Sequence, residues 1–217
     1  MQKIFFDEST YIWKIKLDLL SDISVIKEEV INYIQSNNTE KNINTDAYFY
    51  FEEWKKNDNF IGKLNIKNYL DLVCQKAIDY CISLWNLEFD KKYNKVNAEA
   101  WINVVKSKNP VQSEFKNPKN KYHTHTDKAK MFGRFTPQYT YVYYIQMPDI
   151  MEGEDGVLYI KGLNNMEYYI KPEIDDLIIF SADLPHAPNN APKANVDRIV
   201  LAGNVGFEYK KKEKSLI

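Results

Sequence analysis

Short apolar runs separated by turn residues dominate the chain from Glu99 onward, and this pattern limits the fold most narrowly. Turn-forming Pro, Asn and Gly residues stand between the runs. The runs are Ala100–Lys106, Tyr139–Met147, Gly156–Lys161, Glu167–Lys171, Asp176–Phe180 and Arg198–Tyr209. Short strands at such spacing are typical of β-sandwiches and barrels. We therefore predict a double-sheet jelly roll over residues 96–210.

The N-terminal part, residues 1–95, carries helical periodicity. Residues 10–20 alternate apolar and polar and predict a strand, which is followed by a helix with one apolar stripe. Residues Ile66 to Trp85 form the longest helical pattern, with an inward stripe of Leu70, Val73, Ala77, Ile78, Cys81 and Leu84. Because no linker-like stretch divides the chain, we predict a single α+β domain over residues 1–217. It is mainly β, and its N-terminal helices pack on one sheet.

Composition and charge give no support to several classes of function. The net charge is −1 and no long basic block is present, so nothing points to nucleic acid or to an anionic membrane. No apolar stretch approaches the ~20 residues that span a bilayer, and the N-terminus does not resemble a signal peptide. Cys74 and Cys81 lie two helical turns apart, roughly 10 Å along the axis, which is too far for a disulfide. Reduced core thiols favour a cytoplasmic protein.

The three histidines of the chain predict a metal centre. His125 and Asp127 form a His-x-Asp pair, and side chains at i and i+2 of a strand point to the same face. His186 follows the apolar run Leu177–Phe180 and would approach from a separate strand. Two histidines and one carboxylate are the ligand set of non-haem Fe(II) oxygenases, which leave coordination positions open.

A second ligand set stays open. His123 and His125 also form a His-x-His pair on one face, so that His123, His125 and His186 could make a cupin-like site of three histidines. We favour His125 with Asp127, which leaves His123 beside the metal or facing the substrate.

Arg198 is a candidate anion anchor. It opens the apolar run Ile199–Ala202, and an arginine at the start of a buried strand is costly unless an anion pairs with it. A guanidinium binds a carboxylate through two parallel hydrogen bonds. The alternative is an arginine at the exposed end of a surface strand.

These residues together resemble the 2-oxoglutarate/Fe(II)-dependent dioxygenases, and most closely their prolyl-hydroxylase-like branch. The resemblance covers residues 99–208. It rests on His125-Thr126-Asp127, Tyr141-Val142-Tyr143-Tyr144-Ile145-Gln146, Leu184-Pro185-His186 and Arg198-Ile199-Val200. It implies a double-stranded β-helix, which is the cupin-like form of the predicted jelly roll. Two turns depart from the family pattern, because Glu154-Asp155-Gly156 replaces a second glycine and Pro172-Glu173-Ile174-Asp175 lacks one.

The resemblance also implies the roles of site residues. His125, Asp127 and His186 would hold Fe(II), and Arg198 would bind the distal carboxylate of 2-oxoglutarate. Tyr144 matches a tyrosine that hydrogen-bonds the same carboxylate, although a core tyrosine is an equal alternative. Asn103 resembles a strand asparagine that touches this cosubstrate in some relatives.

The implied reaction is hydroxylation of an unactivated C–H bond, with dioxygen consumed and 2-oxoglutarate decarboxylated to succinate. Ascorbate is an expected stimulant, and the substrate is a small molecule or a peptide. A cupin-type enzyme that does not use 2-oxoglutarate and a non-catalytic jelly-roll binding protein are the alternatives. A nucleic-acid demethylase of related fold is disfavoured, since no concentrated basic footprint is present.

Overall fold

The computed structural model describes residues 1–17, 19, 23–37, 49–50, 64–89, 92–105, 122–126, 135–149, 153, 155–189 and 195–208. Within these ranges the helices are α1 (Ile23–Asn37) and α2 (Leu64–Glu88). The strands are β1 (Gln2–Phe5), β2 (Tyr11–Lys16), β3 (Phe49–Tyr50), β4 (Lys95–Val105), β5 (Tyr139–Gln146), β6 (Leu158–Lys161), β7 (Glu167–Ile170), β8 (Asp176–Ser181), β9 (His186–Pro188) and β10 (Arg198–Glu208).

The strands form two antiparallel sheets. The larger sheet has the order β1-β2-β8-β5-β10-β4-β3, and the smaller has the order β7-β6-β9. Sequence neighbours are mostly not sheet neighbours, so the chain repeatedly crosses from one sheet to the other, as in a jelly roll. The predicted α+β class, mainly β and with helices on one sheet, is confirmed.

Both faces of the larger sheet are buried at its central strands β5, β8 and β10, which explains the long apolar runs in these strands. In β5, Tyr141 and Tyr143 pack with the helices, whereas Val142 and Tyr144 point to the other side. This second side packs against Leu158 and other residues of the smaller sheet. The alternation follows from the two-residue period of a strand. We call the space between the two sheets the lumen.

Helix α2 covers the outer face of the larger sheet. Its predicted inward stripe is buried, apart from the partly buried Ile78 at the edge of the core. Cys74 and Cys81 are free and buried, as predicted. Burial raises the pKa of the Cys74 thiol to about 12, so it stays protonated at neutral pH.

The first 95 residues contribute strands as well as helices. The hairpin β1-β2 extends the larger sheet, because β2 pairs with β8 from Trp13↔Ile179 to Lys16↔Asp176. Strand β2 was predicted within residues 10–20, whereas β1 and the short β9 were not predicted. Neither described helix is both long enough and apolar enough to cross a membrane.

Candidate metal centre

The three histidines converge at one end of the lumen. His123 and His186 form a β-bridge, in which the backbone nitrogen of each lies 3.2 and 3.1 Å, respectively, from the carbonyl oxygen of the other. One potential ligand atom from each of His123, His125 and His186 lies within 4.8 Å of the others. Nε2 of His125 and Nε2 of His186 are 3.3 Å apart. The convergence that the sequence predicted for His125 and His186 is therefore present, and His123 joins them.

His186 is held with one nitrogen directed to the site. It is the first residue of β9, and its Nδ1 lies 3.0 Å from the carbonyl oxygen of Leu184. A carbonyl oxygen only accepts, so Nδ1–H donates and Nε2 keeps its lone pair. Phe180 packs edge-on against the ring at 4.7 Å between centroids. This tautomer is the one that a metal bound through Nε2 requires.

His125 is fixed by contacts that the sequence did not predict. Its backbone N–H donates to the carbonyl of Ala182 at 2.9 Å. The ring of Trp101 stacks on it at 5.5 Å, and the side-chain nitrogen of Asn204 lies 3.2 Å from Nδ1. The signal for Asn204 was its parity, because it is a polar residue on the same face of β10 as Arg198.

The local conformation at His125 differs from the expected strand. His125 and Thr126 are helical, so the strand that was predicted here is absent at these two residues. The pairing of His125 with Asp127 stays a prediction. Asp127 itself lies outside the described residues. The lysine- and asparagine-rich segments on either side of the histidine pair, within 106–121 and 127–134, also lie outside the described residues.

The histidine nitrogens fit a transition-metal ion. With metal–nitrogen bonds of about 2.1 Å, two neighbouring ligands at tetrahedral or octahedral angles stand roughly 3.0–3.4 Å apart. The observed 3.3 Å between Nε2 of His125 and Nε2 of His186 falls in this range. Imidazole ligands suit zinc, copper, iron and nickel, so the histidine pair fits any of these metals.

Three predicted cosubstrate residues line the inner face of the larger sheet. Val200 of β10 pairs with Asn103 of β4 on one side and with Tyr144 of β5 on the other. Arg198 precedes Val200 by two positions and is buried. Its Nη1 donates to the carbonyl of Asn189 at 2.9 Å, a contact that fixes the guanidinium at the lumen wall. The expectation of a buried Arg198 at the start of a strand is confirmed.

The chemistry of this wall suits a carboxylate. Burial raises the pKa of Tyr144, and the positive charge of Arg198 offsets part of that rise. The phenol therefore stays protonated at neutral pH and can donate a hydrogen bond beside a permanent cation. Oδ1 of Asn103 is buried without a hydrogen-bond partner among the described residues, which leaves a polar group for a ligand or water to satisfy.

Comparison with solved structures identifies the architecture. A prolyl-4-hydroxylase from Pseudomonas putida matches with a TM-score of 0.55 at 14% identity, covering 92% of this chain and 93% of that one. This chain has the fold of the prolyl hydroxylases. The fold that the sequence resemblance implied, a double-stranded β-helix, is thus confirmed.

Two further structures share this fold. A prolyl hydroxylase from Trichoplax adhaerens, solved with a hypoxia-inducible-factor peptide, matches with a TM-score of 0.52 at 16% identity over 89% of this chain and 82% of that one. A full-length protein from Neurospora crassa, solved in complex with alpha-KG, matches with a TM-score of 0.53 at 12% identity over 92% and 75%. No protein-family model and no curated protein matches the sequence. The reported structural neighbours of this chain are thus two prolyl hydroxylases and a protein solved with alpha-KG bound.

Proposed function

We propose that this protein is a 2-oxoglutarate- and Fe(II)-dependent dioxygenase that hydroxylates an unactivated C–H bond of a small-molecule or peptidyl substrate. One observation supports this most strongly. A metal-compatible histidine pair stands at one end of the same lumen whose wall holds a buried arginine and a protonated tyrosine. A cupin-type enzyme that does not use 2-oxoglutarate has no need for the buried arginine and tyrosine. The peptide bound by the Trichoplax neighbour supports a peptide among the substrate classes.

The residues divide into two groups in this proposal. His125, His186 and Asp127 would hold Fe(II). When bound, the iron would supply the reaction with dioxygen that accompanies decarboxylation of 2-oxoglutarate to succinate. Arg198 and Tyr144 bind the distal carboxylate of 2-oxoglutarate, and Asn103 contacts the same molecule. The apolar walls of the lumen exclude water from the site. Ascorbate is expected to stimulate turnover.

Isothermal titration of 2-oxoglutarate into the anaerobic, Fe(II)-loaded protein tests the proposal. We expect saturable binding that is lost in Arg198→Ala and in His186→Ala. Lys95→Ala is the matched control, because this cation lies exposed at the far end of β4 and pairs with Glu208. Tight metal uptake without 2-oxoglutarate binding in the wild type would refute the proposal.

A cupin-like site of three histidines is the second candidate. The observation that favours it is the convergence of His123 with the other two histidines within 4.8 Å. Metal affinities of Asp127→Ala and His123→Ala separate the two ligand sets. We expect the larger loss in Asp127→Ala, whereas a larger loss in His123→Ala would favour the cupin.

A further inference from the structure

A cross-strand network of hydrogen bonds stands behind His125. Asn204 of β10 faces Glu99 of β4 directly in the sheet register, and Thr140 of β5 from the other side. Nδ2 of Asn204 donates to Oε1 of Glu99 at 2.7 Å, and Thr140 Oγ1 donates to Oδ1 of Asn204 at 2.8 Å. The same Nδ2 lies 3.2 Å from Nδ1 of His125. The NH₂ group and the oxygen of the Asn204 amide therefore both form hydrogen bonds.

Glu99 fixes which end of the amide faces His125. A carboxylate only accepts hydrogen bonds, so the NH₂ group of Asn204 must point toward it. That NH₂ group then also donates to Nδ1 of His125, which leaves the ring proton on Nε2. Nε2–H of His125 in turn donates to Nε2 of His186 at 3.3 Å.

A metal bound through Nε2 of His125 requires the opposite tautomer. Nδ1 must then carry the proton, and its partner must accept. Asn204 can do this by turning its amide, since Oδ1 would accept from Nδ1–H while Nδ2 donates to Thr140. The carboxylate of Glu99 opposes this rotation of the amide. The rotation would place the amide oxygen of Asn204 against the carboxylate, and two acceptors repel each other.

We propose that Asn204 is the positioning residue of His125 and that Glu99 limits metal affinity by holding the Asn204 amide in its donor orientation. The inference rests on the proposed function only in taking His125 as a ligand. It concerns the affinity for the metal itself, so neither 2-oxoglutarate nor a substrate is needed to test it.

The test is titration of Mn(II) into the anaerobic 217-residue chain and its variants. Loss of this kind of contact to a metal-binding histidine typically lowers metal affinity 10–100-fold. We expect a loss of about tenfold or more in Asn204→Ala and a higher affinity than wild type in Glu99→Gln. A glutamine can donate to the turned amide of Asn204, so it removes the opposition while conserving size. A merely structural role for Glu99 predicts a loss instead.

Two controls make the outcome interpretable. Asn97→Ala removes another asparagine–glutamate contact between β4 and β10, the 2.6 Å bond from Asn97 to Glu208, and should leave Mn(II) affinity unchanged. His125→Ala should lower affinity more than Asn204→Ala. If His125→Ala binds Mn(II) as wild type does, His125 is no ligand and the proposed function fails at this residue. If only His125→Ala loses affinity, or Glu99→Gln also loses it, the inference on Asn204 and Glu99 is overturned.

A spectroscopic measurement keeps the inference testable if Asn204→Ala fails to fold. Long-range ¹H–¹⁵N correlation of the metal-free protein reports which ring nitrogen of a histidine carries the proton. We expect His125 protonated at Nε2 in the wild type and shifted toward Nδ1 in Glu99→Gln. An unchanged tautomer in Glu99→Gln overturns the role given to Glu99.

Discussion

Tyr144 offers the most selective change at the scale of a single residue. Tyr144→Phe removes only the hydroxyl group, since the buried ring keeps its packing in the lumen. Hydrogen bonds to charged groups contribute about 1.5–3 kcal/mol, so the dissociation constant for 2-oxoglutarate should rise by about ten- to a hundredfold. Calorimetric titration of 2-oxoglutarate into the anaerobic protein loaded with a divalent metal measures this change.

Tyr143→Phe is the matched control for Tyr144→Phe. Tyr143 is the next residue of β5, and its hydroxyl points the other way, donating to Asp175 at 2.6 Å. Its loss should lower the stability of the fold and leave 2-oxoglutarate affinity unchanged. Equal 2-oxoglutarate affinities of Tyr144→Phe and wild type would place Tyr144 in the core alone, which was the equal alternative from sequence.

At the metal centre, the sequence predicted the candidate ligand and anion-binding residues but not the residues that hold them in position. His125, His186 and Arg198 carry chemistry that few side chains share, and order along the chain was enough to group them. Glu99 and Asn204 are common residues whose roles arise only from the register of β4 with β10. That register depends on pairing between strands a hundred residues apart, which no local pattern encodes.

At the scale of an element, Gly203 in β10 is fixed by its neighbours. A Cβ atom there would lie 2.3 Å from Cζ of Tyr141 and 2.5 Å from the backbone oxygen of Glu99. Overpacking a buried site typically costs about 1–3 kcal/mol. Gly203→Ala should therefore lower the free energy of unfolding by at least about 1 kcal/mol, as measured by urea denaturation.

Glu208→Ala, at the exposed end of the same strand, controls for a general effect of changing β10. It should alter the free energy of unfolding by less than about 0.5 kcal/mol. A Gly203→Ala protein as stable as this control would show that Tyr141 moves aside without cost.

Strands were predictable from the sequence where an apolar run is bounded by turn residues. Strands β5, β8 and β10 combine apolar residues with turn signals at both ends, and their observed bounds differ from prediction by one residue at most. Strand β9 has three residues and includes Pro188, so it carries no periodicity. Its place is set by pairing with β6 and with His123, both of which are long-range contacts.

At the scale of the whole molecule, Glu88 joins the helical layer to the larger sheet. Its carboxylate at the end of α2 accepts from the hydroxyls of Tyr11 at 2.7 Å and Tyr139 at 2.6 Å. Glu88→Ala leaves the buried Tyr139 hydroxyl without this acceptor, which typically costs about 1–3 kcal/mol. Urea denaturation should show this loss.

Glu88→Gln should lose less stability than Glu88→Ala, because its amide oxygen still accepts one of the two bonds. Glu28→Ala on the exposed face of α1 is the control and should change the free energy of unfolding little. If Glu88→Ala matched Glu28→Ala in stability, the junction between α2 and the sheet would not depend on this carboxylate.

Buried tyrosines make the stability of the whole fold sensitive to alkaline pH. Burial raises the pKa of Tyr69 to about 12, and its hydroxyl contacts that of Tyr143 at 3.2 Å. In the unfolded chain a tyrosine loses its proton near pH 10. The folded state therefore binds more protons between about pH 10 and 12, and stability must fall as pH rises through this window.

The expected contribution of Tyr69 is about 1.4 kcal/mol lost per pH unit within that window. Tyr69→Phe should show a shallower fall in the free energy of unfolding between about pH 10 and 11, measured by urea denaturation at each pH. Tyr169→Phe, which changes a ring that is 56% exposed, is the control and should keep the slope of the wild type. Equal slopes in Tyr69→Phe and wild type would mean that this hydroxyl ionises in the folded protein as readily as in the unfolded chain, with the helical layer opening enough to hydrate it.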